Sequence, residues 1–133
     1  MTRTVVLGYT PNERGRAALA EAIEEVRRRD ARLHVLNTSR GDSAVDPALA
    51  ERGELDELHR MLAEAEVDHE VVQHLGLEPA DDILAAVRAT GAELVVIGTR
   101  RRTPVGKLLM GSTAQRVLLE ADCPVLAVKP SRG

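Results

Sequence analysis

The stretch GAELVVIGT, residues 91–99, combines two signals that together indicate the fold. Residues 94–97 are four consecutive apolar side chains, which is typical of a buried strand. Gly91 lies just before this run, where glycine commonly ends a helix in the left-handed conformation. The stretch therefore predicts the end of a helix, a short turn and a strand inside a sheet.

The same alternation of strand and helix continues in both directions. Strand-like segments fall at residues 5–7, 33–36, 67–74 and 125–128, and apolar residues recur with helical spacing over 19–26, 55–65, 80–87 and 114–121. Right-handed crossovers connect parallel strands, so five strands and four one-sided helices predict an open parallel α/β sheet with helices on both faces. We expect one domain over residues 1–133.

Two helix starts are marked by their local sequence. Thr10 as N-cap, Pro11 at the first helical position and Glu13 at N3 predict the start of the first helix. Ser112 as N-cap with Gln115 at N3 predicts a second capping box. The free N–H groups of this second start also favour an anion, and both interpretations stand because a cap uses only one or two donors.

Composition excludes several classes of protein. The net charge of −3 and the single tyrosine, with no tryptophan or phenylalanine, argue against nucleic-acid binding. No apolar run is long enough to span a membrane, and no secretory signal is visible. Cys123 is the one cysteine, so we expect a reducing cytoplasm and no intramolecular disulfide.

The segment GTRRRTPVGKLLMGSTAQ, residues 98–115, is the main candidate for a site. It follows the most apolar strand, and ligands of such sheets bind at the carboxyl ends of strands where the strand order reverses. A P-loop is excluded because Arg101 and Leu108 stand where glycine and a hydroxyl residue are required. Ser112 lacks the flanking glycines of a hydrolase nucleophile elbow. The cations of this segment form either a solvated loop or a phosphate clamp.

No catalytic or metal-ligating residue is predicted. His69 and His74 are five residues apart on one predicted strand and therefore face opposite sides. No cysteine and histidine spacing suits zinc. Magnesium would enter only together with ATP.

The spacing from Gly98 through position 101 to Gly111-Ser112, followed by a helix and ADCPVLAVK, resembles the universal stress protein family over nearly the whole chain. The resemblance implies a Rossmann-like sheet of order 3-2-1-4-5, of the adenine nucleotide alpha hydrolase-like type. It also implies ATP or AMP bound between the ends of strands one and four, and a homodimer formed through the last strand, residues 125–128.

The family pattern also implies the residues that contact the nucleotide. Adenine would lie beside Gly8, Tyr9 and Thr10, with Val35 next to the base. The ribose and phosphates would lie along the residues after the fourth strand and at the start of the last helix: Gly98, Thr99, Arg100, Arg101, Gly111, Ser112 and Thr113.

Two positions depart from that pattern. Thr10 stands where aspartate is common, and Arg101 replaces the second glycine of the nucleotide motif. Arg101 would either contact phosphate or fill the pocket. Three functions follow: a nucleotide-binding regulatory dimer, an interaction protein whose pocket Arg101 blocks, or an enzyme with at most slow ATP hydrolysis.

Overall fold

Strands and helices alternate along the chain of the computed structural model, which describes residues 3–41, 49–100 and 110–130. The elements are β1 Thr4–Gly8, α1 Glu13–Arg29, β2 Arg32–Ser39, α2 Arg52–Glu64, β3 His69–Leu75, α3 Pro79–Thr90, β4 Leu94–Gly98, α4 Ser112–Glu120 and β5 Val125–Val128. Each predicted strand and helix is present. In these ranges no helix is both long and apolar enough to cross a membrane.

The strands form one parallel sheet of order β3-β2-β1-β4-β5, which confirms the predicted fold class and strand order. At the carboxyl end of β1, Gly8 is paired with Leu36 of β2 and with Ile97 of β4. From β1 the chain runs outward through β2 to β3, and it then returns to the other side of β1 through β4 to β5. The strand order therefore reverses between β1 and β4, where a crevice is expected.

Two apolar cores lie on opposite faces of the sheet. Successive residues of a strand point to opposite faces, so Val5 and Leu7 pack with α1 and α2, whereas Val6 packs with α3 and α4. In β2, Val35 belongs to the core beneath α1 and α2. All three valines and Leu7 are fully buried. This division decides which side chains can reach a crevice on the α3 and α4 side.

Helix α1 begins later than the sequence predicts. Its N-cap is Asn12, whose Oδ1 accepts hydrogen bonds from the amide of Gly15 and the hydroxyl of Thr10, both at 2.9 Å. The prediction of Thr10 as the N-cap is wrong because the chain first turns back, with the Asn12 amide donating to the Thr10 carbonyl. Gly15 permits this turn, since a β-carbon there would lie 1.7 Å from the Thr10 oxygen.

The C-terminal end of α3 agrees with its sequence signal. Gly91 has φ 64° and ψ 34°, and its amide donates to the Val87 carbonyl. This left-handed conformation favours glycine, as predicted for the residue before β4.

An ion-pair cluster joins three elements at the end of the sheet where the strands begin. The Glu93 carboxylate, just before β4, accepts hydrogen bonds from Arg3, just before β1, and from Arg29 at the end of α1, at N–O distances of 2.5 to 2.7 Å. These hydrogen bonds lower the pKa of Glu93 below its ordinary value of 4.5.

Candidate functional site

A cleft of about 250 Å³ opens between the carboxyl ends of β1 and β4, on the face covered by α3 and α4. Its walls come from five chain segments. These are the end of β1 with the following turn and the start of α1, the end of β2, the start of α3, the end of β4, and the start of α4. The crevice expected from the strand order is therefore present.

Nine of the eleven residues assigned to a nucleotide from the sequence line this cleft: Gly8, Tyr9, Thr10, Gly98, Thr99, Arg100, Gly111, Ser112 and Thr113. Arg101 lies outside the described residues. Val35 does not line the cleft.

Leu36 of β2, and not Val35, lines the cleft. Val35 has no exposed surface and lies in the core beneath α1 and α2. The alternation of β2 turns the next side chain to the opposite face, and Leu36 lines the cleft instead. The side chain that reaches the cleft from this part of β2 is therefore that of Leu36, one residue further along the strand than the resemblance implies.

Tyr9 fixes the backbone at the floor of the cleft. Its amide donates to the Leu36 carbonyl at 2.8 Å, and its carbonyl accepts from Asn37 Nδ2 at 3.0 Å. Its ring packs in the core with only 7% of the residue exposed, and this burial raises the pKa of the phenol above 10.0. Tyr9 thus connects the cleft with the core beneath α1 and α2.

The hydrogen-bond donors of Thr99 are used within the sheet. Its amide donates to the Val128 carbonyl at 2.7 Å, and its hydroxyl donates to the same oxygen at 3.4 Å. Thr99 is 3% exposed. The Thr99 amide is therefore not available to donate a hydrogen bond to a ligand in the cleft.

The start of α4 differs from the predicted capping box. Gly111 is the N-cap, which has no side chain to form a capping hydrogen bond, and Ser112 is the first helical residue. The assignment of Ser112 as N-cap is wrong because Gly111 already has the extended cap conformation, with φ −67° and ψ 159°. Among the described residues, no side chain accepts from the first amides of α4, which border the cleft, and such amides favour an anion.

Glycines let the backbone segments of the cleft approach closely. A β-carbon at Gly98 would lie 2.5 Å from the Arg14 carbonyl oxygen, so the end of β4 fits directly beneath α1. A β-carbon at Gly111 would meet no atom within 4 Å. Gly98 therefore serves packing, whereas Gly111 borders open space in the cleft.

A hydrogen-bonded group supports the β2 side of the cleft. The Asp82 Oδ2 atom accepts from the Thr38 hydroxyl at 2.6 Å and lies 2.8 Å from His74 Nδ1. Because an ionised carboxylate only accepts, the Thr38 proton points to Asp82. Nearby, Arg40 binds Glu78 at 2.6 and 3.0 Å and lowers the pKa of that carboxyl.

Sequence reasoning missed eight residues that line the cleft. Leu36 and Thr38 could have been found by following the alternation of β2 to the face of α3. Arg14 lies in the first turn of α1, shortly after β1. Its place in the cleft depends on its contact with Gly98, which is distant in sequence. The full set is Arg14, Leu36, Thr38, Arg40, Pro79, Ile83, Ile97 and Ala114.

The chemical character of the cleft lining favours an anion. Its described lining contains three arginines and several hydroxyls, and none of these lining residues is a carboxylate or a histidine. In the described ranges, no three histidine, cysteine, aspartate or glutamate side chains are grouped to hold a metal ion.

Comparison with known proteins places this geometry in context. A family model described as the universal stress protein family matches residues 1–129. A universal stress protein of Mycolicibacterium smegmatis is 47% identical over 126 residues, which cover 95% of this chain and 97% of that protein.

Solved structures show the same architecture. The structure of a universal stress protein from Archaeoglobus fulgidus is 29% identical with a TM-score of 0.77, and the match covers 97% of this chain and 99% of that one. Another from that organism, in complex with dAMP, is 23% identical with a TM-score of 0.60 over 97% and 98% of the two chains. The second likeness is one of fold.

Proposed function

The chain belongs to the universal stress protein family, and from that premise we propose that it is a regulatory protein that binds ATP or AMP in the cleft between β1 and β4. The observation that carries the proposal is the convergence of the ends of β1 and β4 and the start of α4 on one cleft. The cleft lies where the strand order reverses, which is where α/β sheets of this kind bind ligands. The Archaeoglobus fulgidus relative in complex with dAMP supports an adenine nucleotide as the ligand.

The two ends of the cleft suit different parts of a nucleotide. Gly8 and Leu36 give an apolar floor for the base, beside the Tyr9 backbone. At the other end, the uncapped start of α4 supplies amides from Ser112 and Thr113 that suit phosphate. Arg100 also lines the cleft, and the family pattern assigns it to the ribose and phosphates.

A second part of the proposal is a homodimer formed through β5. This strand is at the edge of the sheet, and its four residues are apolar and half-buried. An apolar edge strand exposes unpaired backbone groups unless another strand covers it. Leu118 and Leu119 of α4 add exposed apolar surface. We place this dimer in the cytoplasm, on the basis of the single cysteine.

The binding proposal is tested by calorimetric titration of nucleotide-stripped protein with AMP and with ATP. We expect saturable binding of both, and loss of that binding in Gly111→Leu, whose added side chain would project into the open cleft. Gly53→Leu is the matched control, because a β-carbon at Gly53 in α2 also meets nothing within 4 Å. Thermal unfolding checks that both variants remain folded.

Two results would contradict the proposal. If neither nucleotide binds at millimolar concentration, the chain is an interaction protein, as the arginine at position 101 also allows. If Gly111→Leu binds as tightly as the unaltered protein, the nucleotide lies elsewhere.

A further inference from the structure

Arg14 and Arg100 line the cleft and also a second cavity beside it. The second cavity has a volume of about 320 Å³, and its other described lining residues are Asn12, Glu13 and Pro130. The two arginines belong to both sets of lining residues, so they stand where the cavities meet. A ligand that extends from the cleft into the second cavity would pass both arginines.

Backbone packing holds these arginines together. Arg14 is in the first turn of α1, and its carbonyl lies directly over Gly98 at the end of β4. Arg100 follows Gly98 by two residues. The close approach of α1 to β4 therefore places two arginines that are far apart in sequence at the border of the same two cavities.

Neither cation is neutralised by the described part of the protein. Nine described arginines form ion pairs: Arg3, Arg27, Arg28, Arg29, Arg32, Arg40, Arg60, Arg88 and Arg116. Arg14 and Arg100 form none with described carboxylates. Arg40, the third arginine of the cleft, is already bound to Glu78. Among the described residues that line either cavity, Glu13 is the single carboxylate, and it already has an interaction of its own.

Magnesium does not fit this set of donors. Mg²⁺ is usually bound through one or two carboxylates together with substrate phosphates. The cleft lining described above offers hydroxyls and guanidinium groups, and Thr10 stands where the family commonly has aspartate. The Thr10 hydroxyl donates to Asn12. The segment 98–115 contains three arginines and one lysine but no acidic residue.

We propose that Arg14 and Arg100 form a second anion subsite, which binds the terminal phosphates of a nucleoside triphosphate as the metal-free anion. Arginine suits this role because its planar donors bind phosphate in pairs. The inference rests on the proposed nucleotide function and adds to it a preference for triphosphate over monophosphate. Magnesium competes with the two arginines for the same phosphate oxygens, so it weakens ATP binding.

The experiment titrates ATP and AMP into the full chain, once with a chelator and once with excess magnesium. We expect ATP to bind more tightly than AMP in the chelator, and magnesium to weaken ATP binding while leaving AMP nearly unchanged. Arg14→Gln should lower the affinity for free ATP by about 10- to 100-fold and leave the affinity for AMP nearly unchanged. Arg100→Gln should lower the affinity for free ATP by a similar factor and that for AMP by less, because Arg100 also lines the cleft in which AMP would bind. Arg16→Gln is the matched control, because Arg16 lies on α1 and lines neither cavity.

Three results separate the possible failures. Tighter ATP binding with magnesium than without it overturns the metal-free subsite. An unchanged ratio of ATP to AMP affinity in both Arg14→Gln and Arg100→Gln overturns the role of these arginines, even though nucleotide binds. If AMP and ATP both fail to bind the unaltered protein in either buffer, the proposed function itself is wrong.

Discussion

Gly98 lies where β4 ends beneath the first turn of α1. A β-carbon there would lie 2.5 Å from the Arg14 carbonyl oxygen and 2.8 Å from the carbonyl carbon, and both are backbone atoms that cannot rotate away. Gly111 lines the same cleft but has open space around the equivalent position. One motif therefore contains glycines that serve different physical purposes.

We predict that Gly98→Ala lowers the free energy of unfolding by about 1–3 kcal/mol, because the methyl group forces α1 away from β4. Gly111→Ala should change it by less than about 0.5 kcal/mol. Urea denaturation of the two variants and the unaltered protein measures the difference. Equal stability of the two variants would contradict the close approach of β4 to α1.

Val35 and Leu36 show what could be predicted for single residues. The sequence identifies β2, and the resemblance places one of its residues beside the base. The face to which each side chain points depends on which helices cover which side of the sheet. Val35 packs under α1 and α2, and Leu36 lines the cleft. An error of one position in a strand reverses the face, so this part of the site needed the structure.

Among the secondary-structure elements, the Glu93 cluster links the starts of β1 and β4 to the end of α1. Hydrogen bonds from Arg3 and Arg29 lower the pKa of Glu93 in the folded protein. Its ionised form therefore stabilises the fold fully above pH 4.5, and this stabilisation is lost as the pH falls through the lower folded-state pKa.

We predict that Glu93→Gln is less stable than the unaltered protein at neutral pH, and that the difference shrinks as the pH falls below 4.5. The free energy of unfolding in urea, measured at a series of pH values, gives the result. Glu24→Gln is a suitable control, since Glu24 pairs with Arg27 alone at 3.4 Å and both side chains are half-exposed. A Glu93→Gln deficit that stays constant into acid would show that the carboxylate charge is not responsible.

Helix ends were predictable where one residue determines the conformation. Gly91 ends α3 as expected because the left-handed conformation suits glycine. The starts of α1 and α4 were each misplaced, because several residues nearby could act as caps. Asn12 and Gly111 occupy the cap positions in place of Thr10 and Ser112. Which residue becomes the N-cap depends on the path of the backbone from the preceding strand into the helix. The local sequence does not determine that path.

For the whole molecule, β5 decides whether the sheet ends or continues into a second copy. The Val95 amide donates to the Pro124 carbonyl and the Thr99 amide donates to the Val128 carbonyl. In a parallel pair such groups alternate along a strand, so the amides of Val125 and Ala127 point away from β4. These outward amides are available to another strand.

We predict that Ala127→Pro yields a monomer of nearly unchanged stability, because proline removes an outward amide and leaves the hydrogen bonds to β4 intact. Light scattering at micromolar concentration measures the mass of the protein. Leu126→Pro is the contrasting variant, since it removes an inward amide and should unfold at a lower urea concentration. A monomeric unaltered protein, or a dimer that survives in Ala127→Pro, would contradict association through β5.

The fold was predictable as a whole because each element carries a strong periodic signal and parallel strands permit few connections. Most of the candidate site followed from the resemblance, since Gly98, Gly111 and Ser112 keep the spacing of the family. Arg14 was not predictable in this way. Its place beside Arg100 arises from the packing of α1 against β4, which joins residues that are far apart in sequence.

Tyr9 has a practical consequence for spectroscopy. The chain has one tyrosine and no tryptophan or phenylalanine, so its near-ultraviolet absorption, fluorescence and circular dichroism come essentially from a single phenol ring. That ring is buried in one core, and the same residue lines the cleft. Global unfolding is therefore observed through one chromophore at a known position, and no label has to be attached.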